Sequence, residues 1–143
     1  MTVINRSALL PFSAYQLFEL VSDVESYPHY MEGCVGACVL RREAHCVEAR
    51  LDLSRAGITQ SFSTRNRMSM PREITLELID GPFEYFTGCW GFHALSDSAC
   101  KMSLELEFEI NSALLGAAAS RLFDKATNNV VDAVGRRASQ IYG

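Results

Sequence analysis

The residues able to do chemistry are few and scattered. His29, His45 and His93 stand far apart in the 143-residue chain. None belongs to an HExxH, GxSxG, phosphate-loop or dinucleotide-binding pattern, so no zinc-bound water, activated serine or cradled phosphate is encoded. Asp23 and Glu25 lie close in sequence to His29 and Tyr30 and would supply an acid/base set, but solvated charges around a helix terminus account for them more simply. Glu105, Glu107 and Glu109 recur at period two opposite an apolar row, which is the wet face of a strand rather than a pair of catalytic carboxylates. Cys34, Cys38, Cys46, Cys89 and Cys100 form an odd set without a CxxC pair. They are read as reduced thiols of a cytoplasmic protein, not as disulfides or metal ligands. No metal and no required cofactor is expected.

Two other groups carry more information. Arg65 and Arg67 share a strand face with Thr59, Ser61 and Ser63, and with Arg72 they form a small basic patch, unless they are ordinary exposed strand charges. A second basic group, Arg121, Lys125, Arg136 and Arg137, falls near the C-terminus. The formal charge of −4 excludes a general nucleic-acid binder, whose affinity comes from a basic surface, although a local patch can still steer an anionic partner. Phe62, Phe83, Tyr85, Phe86, Trp90 and Phe92 concentrate in two segments, and Phe86, Trp90 and Phe92 share one parity with Gly88 between them. Core packing accounts for such residues, and so does an apolar pocket with little polar chemistry.

The elements that position these groups follow from periodicity. At 143 residues, 48% hydrophobic and 21% charged, the chain is expected to be one globular domain able to bury a real core. It shows no leader pattern and no apolar run of membrane-spanning length. Thr2 to Leu9 alternates and reads as a strand. Ser13 with Gln16 is a capping-box pair that opens a helix whose stripe is Leu17, Phe18, Leu20, Val21 and Val24, stopped by Tyr27-Pro28. After a turn or short second helix, period two returns: Val35, Ala37 and Val39, then Val47 to Leu53, Ile58 to Met68, Ile74 to Leu78, Phe83 to Leu95 and Lys101 to Glu109. A long helix capped by Asn111 or Ser112 closes the chain near Tyr142, with Leu115, Ala118, Leu122, Ala126, Val130, Val134, Ala138 and Ile141 as its stripe. The expected architecture is α+β, with about six to seven antiparallel strands curved around one long helix and room for a cavity between them.

Three separated runs also carry a resemblance: VSDVESYPHYMEGCVGACVL at 21–40, SRAGITQSFSTRNRM at 54–68 and LIDGPFEYFTGCWGF at 78–92. They resemble the coenzyme Q-binding START-like proteins of the polyketide cyclase/dehydrase and lipid transport family, and most of all its bacterial branch of ribosome association toxins. The matching blocks include Tyr27-Pro28, Gly33 and Cys34, Thr64-Arg65-Asn66, Asp80-Gly81-Pro82-Phe83 and Trp90-Gly91-Phe92. The resemblance implies a helix-grip fold around a hydrophobic tunnel and no catalytic set. It implies ubiquinone binding in support of respiration on one side. On the other it implies attachment to the large ribosomal subunit, blocking its association with the small one.

Together these readings predict a non-enzymatic protein that holds ubiquinone or another polyprenyl lipid and touches membrane surfaces transiently. Strand parity assigns its cavity wall to Phe62, Met68, Leu76, Leu78, Phe86, Trp90, Phe92, Leu104, Leu106 and Phe108. The helix closes the wall with Leu115, Leu122, Ala126 and Val130. The alternative, a translation inhibitor on the large subunit, would use Arg65, Arg67, Arg72, Arg121, Lys125, Arg136 and Arg137. A third expectation, a small cyclase or dehydratase, would need His93 or Asp23 to reach the cavity.

Overall fold

The alternation read from the sequence becomes one curved antiparallel sheet. The computed structural model describes residues 1–111 and 117–143, apart from the side chains at 118 and 119. In chain order the elements are β1 (Thr2–Leu10), α1 (Ala14–Ser22), a 3-10 segment (Val24–His29), β2 (Cys34–Glu43), β3 (Cys46–Arg55), β4 (Ile58–Ser69), β5 (Glu73–Asp80), β6 (Phe83–Ser96), β7 (Ala99–Ile110) and α2 (Ala117–Tyr142). The seven strands lie in the order β1-β7-β6-β5-β4-β3-β2. The first strand therefore pairs with the last, and α1 with the 3-10 segment carries the chain from one edge of the sheet to the other.

Local chemistry starts α1 where the sequence places it. Ser13 Oγ accepts from the Gln16 amide at 3.1 Å while Gln16 Oε1 accepts from the Ser13 amide at 3.0 Å, which satisfies two otherwise orphaned backbone donors. The helix buries Leu17, Phe18, Leu20 and Val21. Phe18 meets Phe92 of β6 edge-on at 5.5 Å. The buried Tyr27 hydroxyl donates back to the Val21 carbonyl, so the 3-10 segment is tied to the helix before it.

Strand β7 shows the clearest correspondence between pattern and burial. Cys100, Met102, Leu104, Leu106 and Phe108 are buried, and Lys101, Glu105, Glu107 and Glu109 are exposed. Strand β2 departs from simple alternation. Val35 is 61% exposed while Cys34 is buried and Ala37 and Val39 pack on the core. The cause is a register shift between Cys34 and Gly36, because one extra residue at a bulge turns what precedes it to the other face.

Helix α2 lies across the concave face, with contacts to β1, β3, β4 and β7. Leu122, Val134 and Ala138 of its stripe are buried, but Ile141 is exposed. The cap at Ser112 and the stripe position Leu115 lie outside the described residues, as does the Ala118 side chain. Phe123, Val131 and Ala133 are also buried, so the gripped face is wider than a single stripe. Phe123 packs edge-on against Phe83 at 4.8 Å and against Phe62 at 5.9 Å. This aromatic cluster anchors the N-terminal half of α2 to the sheet and leaves its middle standing off.

Candidate functional site

Where the middle of α2 stands off, the concave face encloses a cavity of about 340 Å³. Its floor is Ala49, Leu51 and Leu53 of β3, Phe62 of β4, Leu76 of β5, Phe86 and Trp90 of β6, and Leu104 and Leu106 of β7. Val24, Tyr27, Met31 and Cys34 close one side, and Ala126, Val130 and Ala133 of α2 form the roof. Exposed Glu32, Asn129, Asp132 and Arg136 mark the rim. Gly88 keeps the floor low, because a Cβ there would lie 2.3 Å from Leu106 Cδ2 and 3.2 Å from Leu76 Cδ1. Both leucines instead fold over bare backbone.

Of the wall positions read from the sequence, Phe62, Leu76, Phe86, Trp90, Leu104, Leu106, Ala126 and Val130 line this cavity. Met68 faces a side hollow of about 10 Å³ that shares Asn66, Leu76 and Trp90 with it. Leu122 borders a shallower hollow of about 80 Å³, together with Arg55 and Lys125. Three assignments need correction. Phe92 and Phe108 point to the concave side but are consumed in packing, the first against Phe18 and Trp90, the second against Phe83 and Phe86. Leu78 packs against the core without reaching the cavity. Parity fixes a face but not which part of that face another element covers. Leu115 lies outside the described residues.

Two polar wall residues escaped the sequence reading although their signal was present. Thr64 and Asn66 have the same parity as Phe62 and Met68 on β4, and both line the cavity. The Thr64 hydroxyl donates to Asn66 Oδ1 at 2.7 Å. The side wall formed by Val24, Tyr27, Met31 and Cys34 was also unread, since only the tertiary fold brings the 3-10 segment to the sheet.

Electrostatically the interior is inert. Burial pushes the Tyr27 hydroxyl well above its usual range, with the neighbouring Tyr30, Cys34 and Asp23 adding to it. Burial likewise raises the Cys34 thiol, opposed only in part by the backbone of Gly36, and the nearby Asp52 carboxylate adds to the rise. Both wall groups thus stay protonated near neutrality and neither is poised to take a proton. Exposed His93 and Asp23 line neither the cavity nor its side hollows. Asp23 instead accepts from the Ser26 hydroxyl at 2.5 Å.

The structure divides the basic residues into two sets. Arg65 bridges Glu48 at 3.0 Å and Glu77 at 3.6 Å, and Arg67 reaches Glu77 at 3.1 Å, so the strand patch is largely neutralised across β3, β4 and β5. Arg137 lays its guanidinium 5.3 Å from the centre of the Tyr30 ring, a cation–π arrangement. Arg72, Arg121, Lys125 and Arg136 are exposed and make no ion pair among the described residues. Lys125 and Arg136 are three turns apart on α2, about 16 Å along its axis, and border the two connected openings.

Comparison with known proteins agrees with this geometry. Residues 10–134 match the family described as polyketide cyclase / dehydrase and lipid transport. The ribosome association toxin RatA of Vibrio cholerae is 46% identical over 144 residues, covering 100% of this chain and 99% of that protein. RatA of Escherichia coli K12 is 39% identical over 142 residues, covering 99% and 90%. A Xenopus laevis protein named coenzyme Q-binding protein COQ10 homolog B, mitochondrial, is 25% identical and covers 97% of this chain, which spans 59% of its length. Among solved structures, an aromatase/cyclase from a Streptomyces species superposes with a TM-score of 0.82 at 14% identity, covering 97% of this chain and 94% of that one. An 18 kDa protein from Caulobacter crescentus superposes at 0.75 with 29% identity, covering 100% and 99%. The seven-stranded sheet gripping a C-terminal helix is thus the START-type fold, and the chain belongs to the polyketide cyclase/dehydrase and lipid transport family, with full-length relatives among the RatA proteins.

Proposed function

We propose that this chain is a non-catalytic, cytoplasmic binding protein that holds ubiquinone or a similar hydrophobic lipid between sheet and helix and serves respiration as a quinone chaperone. The observation that carries the reading is the cavity. Its volume of about 340 Å³ falls at the lower end of the range for small-molecule sites, which are concave, largely apolar and carry few polar groups. Its ionisable interior groups, Tyr27 and Cys34, are held protonated by burial, which suits retention of a ligand better than its conversion. The lipid transport description of the family and the coenzyme Q-binding name of the Xenopus relative support the same choice. No cofactor beyond the bound lipid is required, and loading involves transient contact with a membrane surface. Lipid extraction and native mass spectrometry test the reading. A stoichiometric quinone or prenyl lipid is expected, and protein that carries no lipid and binds no quinone at micromolar concentration would overturn it.

A second reading has its own support. The full-length relatives at 39% and 46% identity are named ribosome association toxins, and Arg121, Lys125 and Arg136 are unpaired cations on one helix among the described residues. In this reading the basic side of α2 docks on ribosomal RNA of the large subunit and hinders subunit joining. Sucrose-gradient profiles decide it: co-migration with the large subunit and an excess of free subunits on overproduction are expected, and protein that stays at the top of the gradient refutes it. A cyclase reading has only fold-level support from the Streptomyces neighbour at 14% identity, and His93 and Asp23 stand away from the cavity.

A further inference from the structure

Most of the cavity wall is apolar, and the hydroxyls of its Tyr27 and Thr127 are spent on the backbone carbonyls of Val21 and Phe123, whereas the Thr64 and Asn66 pair on β4 bond to each other. Asn66 lies opposite Val47 on β3 and Leu76 on β5, and Thr64 lies opposite Ala49 and Leu78, so nothing polar on the adjacent strands competes for them. Thr64 is 7% exposed, and its hydroxyl donates to Asn66 Oδ1 at 2.7 Å. An asparagine side chain has one carbonyl acceptor and two N–H donors. With the acceptor occupied by Thr64, the amide is presented to the cavity as a donor, and it finds no hydrogen-bond acceptor among the described residues. Asn66 also borders the side hollow beside Ser22 and Trp90, at the junction of the two spaces. Lys125 and Arg136, which make no ion pair among the described residues, are by contrast on the exposed rim, where an anionic head group would be held before it reached the interior.

We infer that Asn66, held by Thr64, is the point of carbonyl recognition in the cavity: its amide donates to the carbonyl oxygen of an apolar ligand that enters carbonyl end first. The ligand class is a neutral ketone or quinone on a hydrophobic body, rather than a plain hydrocarbon, a carboxylate or a phosphate ester. This inference rests on the lipid-binding reading and specifies which ligands that site prefers. Asn66 is a binding residue, and Thr64 is a positioning residue that fixes the amide.

The test compares decylubiquinone with decylbenzene, which has the same alkyl chain and no acceptor. Affinities are read by displacement of the neutral fluorophore N-phenyl-1-naphthylamine. Quenching of Trp90, the single tryptophan of the chain and part of the wall, gives a second readout for the quinone. Loss of one neutral hydrogen bond weakens binding by about three- to tenfold. Asn66→Leu is therefore expected to lower the quinone-to-decylbenzene affinity ratio by about that factor while decylbenzene binding is kept. Thr64→Val, which frees the amide to rotate, is expected to lower the ratio by a smaller factor. It is the variant used if Asn66→Leu fails to fold by its melting curve. An unchanged ratio in a folded variant overturns the inference and leaves the lipid reading standing. Failure of the wild-type protein to bind either probe overturns both.

Discussion

Replacing Ala49 by leucine should stabilise the unliganded protein and abolish its ligand binding, two effects of opposite sign that follow from the same empty space. Ala49 is buried on β3 between Val39 of β2 and Thr64 of β4, and it lines the cavity. The substitution adds three carbons, and at about 0.8 kcal/mol per buried methylene the largest available gain is about 2 kcal/mol. In a filled core the same change costs about 1–3 kcal/mol through forced rotamers and backbone shifts. A cavity of about 340 Å³ has room for the isobutyl group, so the gain should prevail. For a chain of this size about 1 kcal/mol moves the midpoint by roughly 3–4 °C, and the expected rise is up to about 7 °C by calorimetry without ligand. Decylubiquinone at about a hundred times its Kd should raise the wild-type midpoint by roughly 9 °C, from about 2.7 kcal/mol of linkage. It should leave the variant unmoved. A fall of several degrees together with undiminished quinone affinity would refute the reasoning, since it would mean that the space is neither empty nor the binding site.

Truncation of the aromatic anchor should act on stability rather than selectivity: Phe123→Ala removes a nearly fully buried ring packed on Phe62 and Phe83 and should cost about 3–5 kcal/mol, seen as a midpoint lowered by about 10 °C or more. Charge reversal of Lys125 and Arg136 together should weaken any ribosome association and its salt dependence. Reversal of Arg65, already tied to Glu48 and Glu77, should do so much less, a contrast that gradient fractionation at two salt concentrations measures. Burial raises the ionisation of Tyr27, Tyr30, Cys34 and Cys100 in the folded chain. The stability gained by keeping them protonated is complete below the unfolded thiol value of about 8.5 and is lost as the pH rises through the folded values. Denaturant midpoints should thus be flat from pH 7 to about 8.5 and fall progressively beyond it, most steeply once tyrosines ionise in the unfolded chain near pH 10.

Much of the fold was legible because the sheet is wet on one side. On β7 the Met102 to Ile110 row and the Lys101 to Glu109 row leave only one register that buries the former, and the capping box at Ser13 marked the start of α1. What escaped was non-local. The bulge after Cys34 turned Val35 outward, and a bulge leaves no mark in residue type. Phe92 and Phe108 shared parity with true wall residues yet lie where α1 or other rings cover the sheet. Thr64 and Asn66 were the reverse case: their place on the inner face followed from Phe62 by period two, and only their polarity hid them from a search for apolar walls.

The pairing of β1 with β7 also has a kinetic consequence. Thr2 lies beside Phe108 and Leu10 beside Cys100, so the N-terminal strand closes a loop of roughly a hundred residues, while β2 through β7 join as successive neighbours. Contacts this distant meet their loop-closure entropy only after the intervening hairpins exist. On a translating ribosome, β1 emerges first and must wait for nearly the whole chain. Thr2 and Arg6 then tie that strand to Asp124 and Asn128 of α2. The roof of the cavity is accordingly secured in the last stage of folding, and a nascent chain released before α2 is complete lacks the helix that closes the cavity.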